Sequence, residues 1–129
     1  MMLLRAHLYT EAVMEDLIRL RLPHGQVMIE KAGLRYYQKV LLVQALGVLD
    51  ARLINALQAM NHVRNDFAHE IDKELTDADV SRIGASYGNM LKKMKEIDGG
   101  SDTKKTLRML LSYICGRLDE AIHDLKTSP

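Results

Sequence analysis

The stretch Asn61-His62-Val63-Arg64-Asn65-Asp66-Phe67-Ala68-His69 gathers one arginine, two asparagines and two histidines within nine residues. Arginine is permanently charged and presents a two-pronged donor set that suits carboxylate or phosphate oxygens. Histidine changes charge near neutral pH and suits proton transfer. Advancing about 100° per residue from Leu53, the positions Leu57, Met60 and Phe67 define one core-facing stripe, and Arg64 falls in its middle. Asn61, Asn65 and Ala68 lie on one flank, while His62 and His69 point further round. His69 stands one turn beyond Asn65, so these two side chains can touch. Arg64 and His69 are about 140° apart on an ideal helix, and they meet one ligand only through arginine's reach or a loosened helix end.

A guanidinium on a core-facing stripe needs acceptors, because it cannot lose its charge. One reading is structural. Asn and His near a helix C-terminus satisfy free carbonyls and complement the helix dipole, and Arg64 pairs with a carboxylate of the first helix, Glu11 being the candidate. The other is functional, with the same side chains turned toward a ligand.

The elements that position this stretch follow from apolar spacing. Residues 2–21 place Leu3, Met14, Leu17 and Ile18 on one face of an amphipathic helix. Residues 22–33, with Pro23, Gly25 and Gly33, predict a connection holding at most one short turn. Residues 34–46 are apolar on most sides through Tyr36, Tyr37, Val40, Leu41, Leu42 and Val43, as expected of a central helix or a subunit interface. Gly47 ends that helix and Asp50 caps the next, which runs to about residue 69. A fourth stripe, Val80, Ile83, Tyr87, Met90, Leu91, Met94 and Ile97, predicts a helix over 79–97. Gly99, Gly100, Ser101 and Asp102 break the chain, with Ser101 or Asp102 as the cap of a last helix over 103–125. The expectation is an all-α, compact bundle of about five helices forming one domain over residues 1–129.

Composition narrows the function. Apolar residues make up 47% and charged residues 27%, the usual balance of a globular domain. A net charge of +1 provides no global field for nucleic acid, so such binding needs a local patch. The single Cys115 excludes an internal disulfide and reads as a small core residue. The N-terminal apolar run is too short for a signal peptide, and no segment approaches the ~20 apolar residues of a membrane span. A cytoplasmic protein that does not enter membranes is the expectation.

Other constellations are weaker. The histidines His7, His24, His62, His69 and His123 lack metal-ligand spacing, so no metal is expected, and the absence of a Gly-rich phosphate loop removes the usual signal for a cofactor. His7 and Thr10 face the core side of the first helix; a core histidine with a satisfied hydrogen bond is one reading, and a first helix that lines the same cleft as Arg64 is the other. Lys92, Lys93, Lys95, Lys104, Lys105 and Arg108 form a basic cluster, read as a solvated helix end, with phosphate contact as the alternative.

Arg64-Asn65-Asp66-Phe67-Ala68-His69 resembles the Arg-Asn-x-x-x-His form of the Arg-x4-6-His motif of the HEPN superfamily. The longer segment LLVQALGVLDARLINALQAMNHVRNDFAH is similar to a branch containing mannitol-repressor-like regulators, and the resemblance spans roughly residues 3–90. HEPN domains are small and helical, and many are metal-independent RNases in which the motif residues of two protomers meet at a dimer cleft. The resemblance implies that Arg64 stabilises charge, His69 transfers protons, and Asn65 orients His69 or binds phosphate. It implies a homodimer, an RNA substrate, a toxin or defence role, and a cognate antitoxin or regulatory protein as partner. The mannitol-repressor-like branch implies the alternative, a non-catalytic regulatory or protein-interaction module.

Overall fold

Leu3, Ala6, Val13, Met14, Leu17 and Ile18 recur at helical spacing and bury one side of α1 (Met2–Arg21). The computed structural model describes residues 2–97 and 102–127. After α1 come α2 (Gly25–Lys31), α3 (Tyr36–Leu46), α4 (Ala51–His69), α5 (Asp77–Ile83), α6 (Gly88–Ile97) and α7 (Thr103–Thr127). The described residues contain no strand. Helix α1 packs against α2, α3, α4 and α7, while α4 also lies against α3, α5 and α7. One core runs through these contacts, with Met14, Leu17, Val40, Leu57, Met60, Ile114 and Leu118 fully enclosed.

Helix ends follow local chemistry. Gly47 takes φ 70°, a left-handed conformation that L side chains rarely adopt, and closes α3. Asp50 then accepts from the Leu53 N–H at 2.9 Å and starts α4. Thr76 and Asp79 bond each other's backbone N–H groups at the start of α5. Asp102 caps α7 by accepting from the Lys105 N–H at 3.1 Å. The expected break at Gly99, Gly100 and Ser101 lies outside the described residues.

Among the described residues seven α-helices replace the expected five, and glycine explains both differences. Residues 22–33 contain α2, which folds back along α1. A Cβ at Gly25 would stand 2.5 Å from the Ile18 carbonyl oxygen, so only glycine permits this approach. His24 enters the turn at φ 60°. Residues 79–97 form two helices joined by one turn of 3-10 helix, Ala85–Tyr87. Gly84 marks the joint, where an added Cβ would meet Leu91 Cδ2 at 2.9 Å and Leu110 Cδ2 at 3.2 Å. Val80, Ile83, Tyr87, Leu91 and Met94 still reach the core across the joint, whereas Ile97 is exposed.

Helix α3 also differs from its apolar reading. Tyr36, Val40 and Val43 are buried, but Tyr37 is 54% and Leu41 42% exposed. Lys39 is buried at the α1–α3 seam, with Nζ 3.1 Å from Glu11 and 2.7 Å from Glu15. Burial alone would lower the Lys39 pKa; the bonds to Glu15 and Glu11 outweigh it and raise it above its ordinary value.

Candidate functional site

Helices α1, α3 and α4 leave an open cleft of about 660 Å³ between them. Helix α1 contributes His7, Leu8 and Glu11, and α3 with its preceding residue contributes Arg35, Tyr36, Tyr37 and Gln38. Helix α4 contributes Asn61, Arg64, Asn65 and His69. The three residues singled out by the motif therefore line one concavity. Their angular spread on α4 becomes the curvature of the cleft wall, since α1 and α3 close it from the other side.

The floor is a bonded polar cluster. His7 Nε2 lies 2.9 Å from Asn61 Oδ1, and both residues are buried. An amide oxygen only accepts, so with this amide orientation Nε2 carries the proton and Nδ1 is left as an acceptor. The His7 ring stacks on Tyr36 at 4.0 Å between centroids and 19° between planes. Tyr36 in turn bonds Thr10 Oγ1 at 2.7 Å, and Thr10 Oγ1 donates to the Ala6 carbonyl at 2.8 Å. That leaves the Tyr36 hydroxyl as the donor to Thr10.

Electrostatics keep this floor neutral. Burial pushes the His7 pKa below its ordinary 6.5 and the Arg64 charge lowers it further, while the Asn61 bond and Glu11 oppose both. Burial raises the Tyr36 phenol pKa, against the opposing Thr10 bond, so Tyr36 stays protonated. Both anticipated readings of His7 thus hold together, a satisfied hydrogen bond and a place in the Arg64 cleft.

Arg64 is half-buried, and among the described residues its guanidinium has no ion pair and no hydrogen bond. The anticipated Glu11–Arg64 pair is replaced by Glu11–Lys39. Glu11 and Glu15 are one turn apart on α1, and the Lys39 ammonium sits between them and bonds both. Glu11 lines the cleft with Lys39 bonded to it, while Glu15 also lies 3.8 Å from Arg19. Among the described residues neither Arg64 nor Arg35 has an ion pair, and both line the open cleft, an arrangement that suits an anion.

Asn65 and His69 are exposed on the same wall. His69 closes the last turn of α4, where a cation complements the helix dipole. His62 faces away from this cleft and lies 3.6 Å from Asp66. Cys115 is half-buried in α7, and burial raises its thiol pKa, which opposes nucleophilic use.

Lys39 and Arg35 were missed in the sequence. The signal for Lys39 was present, since a lysine inside YYQKVLLV is the same kind of anomaly as Arg64 on its stripe. Arg35, flanking the helix, carried no such signal. Among the described residues no three His, Cys, Asp or Glu side chains group as a metal site, and no helix is long and apolar enough to cross a membrane. Comparison with protein-family models, curated proteins and solved structures gives no match to this chain.

Proposed function

We propose that the protein is a HEPN-like, metal-independent endoribonuclease of toxin or defence type. Its site is the cleft of Arg64, Asn65 and His69, shared between two protomers of a homodimer. One observation carries this reading: a half-buried arginine, without a carboxylate partner among the described residues, faces an open cleft that also holds a histidine.

RNA supplies its own nucleophile. The 2′-hydroxyl attacks the adjacent phosphorus, the P–O5′ bond breaks, and the products carry a cyclic phosphate and a 5′-hydroxyl. One His69 accepts the 2′-hydroxyl proton and the other protonates the departing 5′-oxygen. Arg64 binds the phosphoryl oxygens as their charge grows in the phosphorane. Asn65 orients His69 or donates to a phosphate oxygen. The neutral His7–Asn61 pair holds the α4 wall of the cleft against α1.

His69→Ala is expected to keep the fold and the dimer while abolishing cleavage of single-stranded RNA in EDTA. Wild-type protein that cleaves no member of a broad RNA panel overturns the reading. The exposed Leu8 and Tyr37 at the cleft favour a second reading, a regulatory module that docks a protein there. In that case wild type is inactive on RNA and Leu8→Asp abolishes capture of the partner.

A further inference from the structure

Beside the Arg64 cleft lies a second groove of about 530 Å³, between α3, α4 and the outer side of α5. Tyr37, Asn61 and Asn65 line both, so the two are continuous across the α3–α4 seam. The second groove adds Gln58 and His62 from α4 and Arg82 from α5. Among the described residues the Arg82 guanidinium has no ion pair, although it is exposed near the end of its helix. Together the two grooves present two cations, Arg64 and Arg82, with the amides Asn65 and Gln58 and the aromatic ring of Tyr37.

Resting on the nuclease reading, we infer that this second groove is a subsite for the neighbouring nucleotide of an unpaired RNA strand. Tyr37 is the stacking platform for a base, and Arg82 holds the phosphate beyond it. Cations that follow a backbone, interleaved with an open aromatic face, are the chemistry of single-strand binding. Tyr37 is more than half exposed, which leaves it available to a base. A duplex keeps its bases stacked on each other and offers none to such a ring. Asn65 and Gln58 supply amide donors and acceptors in the same grooves. The site therefore spans at least two nucleotides and selects strands that extend past the scissile phosphate.

The test uses the full-length His69→Ala protein, so that substrate is not consumed, and measures binding of fluorescent oligouridylates by anisotropy. Tyr37→Ala is expected to weaken hexanucleotide binding about 5- to 100-fold, with Tyr37→Phe close to the parent. Arg82→Gln is expected to weaken the hexanucleotide and spare the dinucleotide, and to reduce the salt slope by about 0.7. Unchanged hexanucleotide affinity in Tyr37→Ala and Arg82→Gln overturns the subsite even where wild type cleaves RNA. Binding that is lost only together with the dimer, seen by light scattering of Tyr37→Ala, also overturns it. Intact, Tyr37-dependent binding with no cleavage by wild type overturns the nuclease reading and leaves the subsite standing.

Discussion

Arg64 sits where leucine would complete the α4 stripe, and its neighbours decide what that substitution does. Lys39 bonds both Glu11 and Glu15, and among the described residues the Arg64 guanidinium has no ion pair. Arg64→Ala is accordingly expected to change stability by no more than about 1 kcal/mol, read as thermal unfolding, while sharply weakening RNA binding. A loss of about 3–5 kcal/mol, the cost of breaking a buried pair, would instead make Arg64 structural. Lys39→Gln should do the reverse at the level of the fold, destabilising by about 1–3 kcal/mol because Glu11 loses its ammonium partner and Glu15 keeps only Arg19, 3.8 Å away. It should also weaken RNA binding, since Glu11 then brings an unmatched negative charge into the cleft. His7 sets a pH dependence. Its pKa is depressed in the folded state, so its contribution is present above 6.5 and is lost as the pH falls through the folded value. The melting temperature should fall with pH below 6.5, and His7→Gln should flatten that decline.

At the scale of the element, glycine and capping residues decide where helices begin and turn. Asp50→Ala removes the acceptor for the Leu53 N–H and should cost about 1 kcal/mol, measured by denaturant unfolding. Gly25→Ala should cost about 1–3 kcal/mol, because the added Cβ meets the Ile18 carbonyl, a backbone atom that cannot turn aside. Gly84 is gentler, since the groups facing its Cβ are leucine methyls that can shift. Asp50 and Gly47 were legible in the sequence because caps act within one turn. The joint at Gly84 was not, because the apolar stripe from Val80 to Met94 continues through it. Spacing records which face is buried, and it does not record a change in helix axis.

At the scale of the whole molecule, α1 carries Leu4 and Leu8 at 38% and 56% exposure, one turn apart, and Leu8 lines the Arg64 cleft. In the proposed dimer this edge meets the second protomer. Leu8→Asp is expected to shift the protein to monomer by light scattering, with helical content unchanged and cleavage lost. Dimers that persist in Leu8→Asp would move the shared edge elsewhere, with Leu41 on α3 the next apolar position to test.

By itself the sequence determined an all-helical chain, the spans and buried sides of α1, α4 and α7, and the anomaly at Arg64. These are read from nearest neighbours along one helix, where period and capping act over a few residues. The tertiary structure alone decided which carboxylates Lys39 would occupy, that His7 would bond Asn61 and stack on Tyr36, and that Arg35 would reach the same cleft. Those pairings join α1, α3 and α4 across 24 to 54 residues of chain. Desolvation and ion pairing act through space, so the bond of Glu11 to Lys39 in place of Arg64 could be found only once the helices were packed.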